Sequence, residues 1–208
     1  MSKNTQKKPF DFFRKKTYSA ALLKIFGAAL LLFLCSRNPD KEILIDAEKP
    51  KYGFTTSSLS FFRNVRSLYY DAEENETAKL LFYRNSDRPK PDKFEKIIPV
   101  IVLSEENREA YIFLEIITSD KNLPESIGIS VENSSGKKEE FLVKKENRDG
   151  YFRTSAKIYN GILNNDKILI NNDKATRPLF ADADEKEIFR KTLLDYYRLT
   201  QVIRWKFF

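Results

Sequence analysis

The chain has 208 residues, a formal net charge of +7, 41% hydrophobic residues, a single cysteine and no histidine. Eight of its 37 basic and one of its 30 acidic side chains lie in residues 1–37, so residues 38–208 hold 29 side chains of each sign. A domain that binds nucleic acid needs an excess of positive charge to bind phosphates, and this balance argues against one. One cysteine excludes an intrachain disulfide and a cysteine zinc cluster, and the lack of histidine removes the commonest general base.

The first predicted element is a membrane segment. Residues 1–17 form a basic tail, and residues 18–36 form an apolar run that only Lys24 interrupts. Nineteen helical residues span about 28 Å, close to the ~30 Å hydrocarbon thickness of a bilayer. Lys and Arg are concentrated on the N-terminal side of the apolar run. We therefore expect residues 1–17 to lie in the cytoplasm and the chain from residue 37 onward to lie on the opposite side of the membrane. We interpret residues 18–36 as a retained transmembrane signal anchor.

Two other interpretations of this segment remain open. A cleaved signal peptide fits the length of the apolar core at residues 25–35, although a small-x-small cleavage site is missing. A lipoprotein fits Leu32, three residues before Cys35, which would then be the lipidated residue, although Phe33 and Leu34 stand where small residues are expected. A buried helix of a soluble protein fits the one-sided flanking charge poorly.

Residues 37–57 are predicted to be a linker, and residues 58–208 to be an extracytoplasmic β-rich domain. Residues 59–70 combine aromatic and β-branched side chains, which favours a strand, although apolar residues at 59, 62, 65 and 69 also suit a helix. We interpret the segment as a strand that pairs with residues 77–84 through an acidic turn at residues 71–76.

The next part of the chain contains dense or alternating apolar runs. Residues 97–103 and 110–118 are two such runs, and Pro99 predicts that the first is an edge strand or contains a bulge. Further strands are predicted at residues 127–131, 141–143, 152–158 and 167–170, separated by short polar turns. Strands at this spacing with no long helix between them indicate a mainly β fold, an antiparallel β-sandwich that is immunoglobulin-like only in a loose sense.

A C-terminal helix is predicted from about residue 182, with its regular part over residues 184–200. Asp182, Asp184 and Glu185 come first and basic residues such as Arg198 come last, which complements a helix dipole. The alternation after residue 199 also allows the chain to finish as a strand.

No nucleotide-binding, metalloprotease or nucleophile motif is present, and no cofactor or metal is predicted. Paired carboxylates are the one catalytic chemistry that stays open. The candidates are Glu105, Glu106, Glu115, Glu139, Glu140, Asp182 and Asp184.

Two clusters combine aromatic and basic residues, as binding surfaces do. In the first, residues 61–70, a strand with its aromatic side chains in the core explains the pattern more simply. The second ends the printed sequence and is predicted to contact a partner: Arg204, Trp205, Lys206, Phe207 and Phe208.

Together these features predict a non-enzymatic envelope protein, anchored in the membrane by residues 18–36, with its domain in the periplasm or at the cell surface. We expect that domain to scaffold or bind another envelope protein. The alternatives are a small extracytoplasmic hydrolase that uses carboxylates and a polysaccharide- or ligand-binding module that uses the aromatic residues.

Overall fold

The computed structural model describes residues 43–120, 124–171 and 176–203. The predicted tail at residues 1–17, the predicted anchor at residues 18–36 with Cys35, and the C-terminal cluster at residues 204–208 lie outside these ranges. Within the described ranges, no helix combines the length and apolar character needed to cross a membrane.

The first half of the domain contains three short helical turns followed by an antiparallel sheet in the order β1-β2-β3-β4. These elements are α1 (Thr56–Phe61), a π-helical turn (Phe62–Arg66), a 3₁₀ turn (Ser67–Tyr69), β1 (Tyr70–Asn75), β2 (Leu80–Asn85), β3 (Lys96–Ser104) and β4 (Glu109–Ile117).

The second half forms another antiparallel sheet, in the order β6-β5-β7-β8, and two longer helices. The elements are β5 (Ser126–Glu132), β6 (Lys138–Lys144), α2 (Arg148–Asn164), β7 (Lys167–Asn171), β8 (Thr176–Pro178) and α3 (Ala183–Leu199). The prediction of a mainly β fold with two antiparallel sheets is confirmed, with about 31% helix. Helix α2 contacts β4 of the first sheet and β7 of the second, and α3 contacts β3, β4 and α2, so the fold is a sandwich only loosely.

The predicted strand at residues 59–70 is wrong, because most of this segment is helical. Thr55 and Ser58 form a capping box in which each side chain accepts a hydrogen bond from the other residue's N–H, at 3.1 and 3.0 Å. This cap satisfies the free N–H groups that begin α1. The strand starts only at Tyr70, and residues 70–75 pair with β2, although residues 71–76 were predicted to be an acidic turn. Their charges are tolerated because β1 is an edge strand that is exposed beyond Tyr70.

Pro99 lies in an interior strand, and neither an edge position nor a bulge accommodates it. Strand β3 runs between β2 and β4, and its register with β4 is unbroken. The pairing of β3 with β2 runs from Leu103 back to Val100, which lies opposite Arg84. Pro99 is the next residue beyond this last pair. The ring nitrogen of Pro99 faces the side where β2 pairing has ended, so its missing N–H costs the sheet no hydrogen bond.

The predicted strand at residues 152–158 is also wrong, because these residues belong to α2. Asn147 caps this helix by accepting a hydrogen bond from the N–H of Gly150 at 2.9 Å. The buried side chains recur at helical spacing along one face: Tyr151, Phe152, Ser155, Ala156, Ile158, Tyr159 and Ile162. Gly161 allows this face to approach the second sheet closely, since a Cβ there would lie 3.1 Å from Val131 Cγ1.

The start of the described chain packs on the domain although it falls in the predicted linker. Ile45 and Phe54 are buried. The side-chain amide of Asn160 accepts from the N–H of Ile45 and donates to its C=O, both at 2.8 Å. The predicted C-terminal helix is confirmed as α3, which Asp182 caps through the N–H of Glu185.

Candidate functional site

An exposed apolar surface stands out on the helical turns that precede β1. The fractional exposures of Val65, Leu68 and Tyr69 are 44%, 80% and 53%. Their spacing of three and four residues places them on one side of a helical segment. We call these three side chains the 65–69 surface.

Other side chains of the same segment are fixed in the core. Phe62 is 1% exposed, and its ring packs against Tyr70 and Tyr83 with centroids 5.8 and 5.1 Å apart. The hydroxyl of Ser58 donates a 2.9 Å hydrogen bond to the C=O of Leu199, at the end of α3. The segment that carries the 65–69 surface is therefore attached to the core through its buried side chains.

A partly buried ion pair also attaches this segment to α3. The Nε–H of Arg66 lies 2.8 and 3.0 Å from the two carboxylate oxygens of Asp195, which is 2% exposed. The hydroxyl of Tyr70 donates to the same carboxylate at 2.8 Å. Burial acts to lower the pKa of Arg66, but the hydrogen bond and charge of Asp195 outweigh it and raise that pKa above its ordinary value. Burial raises the pKa of Tyr70, so it stays a neutral donor.

The ion pair also orients one member of the surface. The guanidinium of Arg66 lies over the ring of Tyr69, 4.8 Å from its centroid. Arg66 ends the π-helical turn, in which the N–H of Ser67 donates to the C=O of Phe62. Such turns are uncommon and occur frequently at functional sites.

The acids considered for catalysis occupy structural positions. Five of them contact a basic side chain: Glu105 with Arg63, Glu106 with Lys79, Glu115 with Arg84, Glu139 with Lys157 and Glu140 with Lys138. Asp182 and Asp184 lie at the cap and first turn of α3. The described part of the chain holds no group of three acidic or cysteine side chains arranged to bind a metal ion.

The predicted partner contact at Arg204, Trp205, Lys206, Phe207 and Phe208 lies outside the described residues. The described chain ends at Ile203, which is buried and whose N–H donates to the C=O of Tyr197 at 3.0 Å. The 65–69 surface falls within the first aromatic–basic cluster, where sequence reasoning preferred a core strand. The apolar spacing at residues 59, 62, 65 and 69 was a signal for a helix, but it groups the buried Phe62 with the exposed Val65 and Tyr69 and so does not identify the exposed side.

No family model matches the sequence, and no curated protein or solved structure is significantly similar to it.

Proposed function

We propose that this chain is a non-enzymatic, membrane-tethered envelope protein whose extracytoplasmic domain binds another envelope protein. The observation that carries the proposal is the 65–69 surface, where three large apolar side chains are exposed together on a firmly held segment. Single exposed apolar residues are normal in soluble proteins, whereas contiguous ones mark interaction surfaces.

The chemistry of the surface favours a protein as its partner. Tyr and Arg are enriched among the residues that dominate binding energy at protein interfaces, and here Tyr69 is stacked with Arg66. Arg66 is already paired with Asp195, and Arg63 with Glu105, so neither requires an acid from the partner. We expect the partner to present an apolar patch with a polar rim.

The predicted anchor supports a partner at the same membrane. A retained anchor at residues 18–36 keeps the domain in the envelope, so the proteins that it can meet there are envelope components.

Site-directed photocrosslinking in living cells tests this proposal. A benzoylphenylalanine at position 68 of the full-length chain should form one dominant adduct with a protein. The same residue at position 142 is the matched control, because Leu142 is also exposed, by 51%, but lies on β6 of the other sheet. The substitution Tyr69→Ser should weaken the adduct at position 68. Equal adducts at both positions, or an adduct only with polysaccharide, would contradict the proposal.

A further inference from the structure

Strand β6 forms one edge of the second sheet, and all of its residues except Phe141 and Val143 are exposed. Just before the strand, the N–H of Asn133 donates to the C=O of Lys137 at 3.0 Å. Because β5 and β6 pair without a bulge and hydrogen-bonded pairs alternate along an antiparallel ladder, the odd-numbered residues of β6 bond to β5. The N–H and C=O groups of the even-numbered residues therefore point away from the sheet.

The outward backbone groups of β6 belong to residues that are all exposed. These residues are Lys138, Glu140, Leu142 and Lys144. Among the described residues, no backbone group outside the strand bonds to them. An open groove of about 310 Å³ lies beside the edge, between β6 and α2. The edge thus offers recurring, accessible hydrogen-bonding groups with free space next to them.

The sequence of this edge is complementary to itself in charge. From residue 138 to residue 144 it is Lys-Glu-Glu-Phe-Leu-Val-Lys. In an antiparallel pair of two copies centred on Leu142, Glu140 of one copy lies opposite Lys144 of the other, and the two-fold axis repeats this pair on the other side. Phe141 lies opposite Val143 of the other copy in the same register. Opposite charges and apolar side chains that face each other across strands stabilise the pairing of those strands.

The adjacent registers lack this complementarity. Only a register that places even-numbered residues opposite even-numbered residues satisfies the outward groups. Centring the pair one residue earlier places Lys138 opposite Lys144 of the other copy. Centring it one residue later places Glu140 opposite Glu146 of the other copy. Like charges directly opposite each other destabilise a strand pair, so the sequence favours the register centred on Leu142.

We propose that two copies of this chain pair through β6, antiparallel and centred on Leu142, so that their two four-stranded sheets form one continuous sheet. Leu142, which is 51% exposed in the single chain, is covered by its counterpart. Charges on an edge strand usually prevent such pairing, but here they attract each other across the two-fold axis. The edge is separate from the 65–69 surface, and the proposal does not depend on it.

Charge reversal in the full-length protein provides the first test. Glu140→Lys and Lys144→Glu each place like charges opposite each other twice, and each should weaken the dimer at least about tenfold. The double variant Glu140→Lys/Lys144→Glu restores opposite charges and should return the affinity to within about threefold of the natural protein. Glu74→Lys is the matched control, because it makes the same charge change on β1, an exposed edge of the other sheet, and should leave the dimer unchanged. Light scattering of the detergent-solubilised protein over a series of concentrations measures the dimer.

Disulfide formation tests the register. In a Cys35→Ser background, Leu142→Cys should give a covalent dimer on oxidation, because opposite residues of a hydrogen-bonded pair have Cα atoms about 5.5 Å apart. Glu140→Cys alone should give none, since the two copies of position 140 are four residues apart along the strands, about 13 Å. A mixture of chains with Glu140→Cys and chains with Lys144→Cys should form a mixed disulfide.

Several results would overturn the proposal. These are a protein that is monomeric at every concentration, a dimer that the single reversals leave unchanged, and a dimer that the double variant does not restore. A disulfide from Glu140→Cys alone would also overturn it, in favour of another register.

Photocrosslinking in living cells distinguishes this interface from the 65–69 surface. A benzoylphenylalanine at position 142 should join two copies of the chain and give an adduct of twice the chain's mass, unlike the adduct with a different protein that is expected at position 68. An adduct at position 142 with a different protein would overturn pairing between two copies, in favour of a strand from that protein.

Discussion

Replacing Arg66 by methionine should destabilise the domain strongly, because it leaves the carboxylate of Asp195 buried without its cation. That carboxylate is 1% exposed and keeps only the 2.8 Å hydrogen bond from Tyr70. Removing one partner of a buried ion pair costs about 3–5 kcal/mol. Since the side chain of Arg66 is 25% exposed and water can reach its place, we expect about 3 kcal/mol, the lower end of that range.

Chemical unfolding measures this loss. Urea unfolding of residues 38–208 at pH 7, followed by intrinsic fluorescence, gives the free energy of unfolding of the natural domain and of the variant.

The double variant Arg66→Met/Asp195→Asn is the matched control. It removes both charges, and it should recover most of the stability that Arg66→Met loses. The reasoning would be refuted by a loss under about 1 kcal/mol for Arg66→Met, or by a double variant that is no more stable than Arg66→Met.

Three further predictions concern topology, anchoring and fold. A C-terminal alkaline phosphatase fusion should be active and a green fluorescent protein fusion dark; the reverse pattern would end the envelope hypothesis. The substitution Cys35→Ser should leave membrane attachment and mass unchanged, whereas loss of fatty-acid labelling with a mature N-terminus at residue 35 would establish the lipoprotein alternative. Residues 38–208 alone should give a circular dichroism spectrum of mixed β and helical type, insensitive to reductant and chelator, and a spectrum without a β component would contradict the fold.

The strands that the sequence predicts correctly are those with dense or alternating apolar residues and clear turns. Residues 97–103 and 110–118 became β3 and β4, and in the turn between β5 and β6 Gly136 has a φ of 79°, a conformation that favours glycine. These patterns depend only on neighbouring residues in the sequence, so they predict strands and turns without knowledge of the tertiary fold. The prediction of an edge strand or a bulge at Pro99 was wrong because an interior strand can contain a proline where pairing with its neighbour has ended. Where the neighbouring strand ends is a property of the tertiary fold.

Helix α2 was missed because two periods coexist in one segment. Phe152, Thr154, Ala156 and Ile158 alternate as in a strand, yet all four are buried on a helix whose other buried residues include Tyr159. Asn147 followed by Asp149 is a helix start signal, but alone it does not outweigh the alternation that follows. The apolar face of a buried helix is wide enough to include residues at every second position. Its sequence can therefore show the alternation that is typical of a strand.

The 65–69 surface depends on geometry that local sequence does not specify. Its spacing indicated a helix, but the exposed side was decided by Asp195, which lies 129 residues from Arg66 in sequence. Arg66 turns inward to reach that carboxylate, and the apolar side chains of Val65 and Leu68 are left in solvent. Sequence composition favoured the opposite arrangement, with apolar side chains inside and arginine outside.

Deleting residues 204–208 tests whether the aromatic C-terminal cluster is a contact for a partner. The described residues just before it are part of the core: Ile203 is 4% exposed, and the hydroxyl of Thr200 donates to the C=O of Tyr196 at 2.9 Å. We therefore expect the deletion to abolish co-purification of a partner while Tm falls by only about 1–2 °C, a change of under about 1 kcal/mol for a domain of this size.

The matched control is Ile203→Ala, one residue inside the described core. Truncating a buried isoleucine costs about 2–5 kcal/mol, which should lower Tm by roughly 5–15 °C while the partner still co-purifies in the cold. If the deletion instead behaves like Ile203→Ala, with a large fall in Tm and an intact interaction, then Trp205, Phe207 and Phe208 pack on the domain and contribute to its core. In that case the 65–69 surface would remain as the contact for the partner.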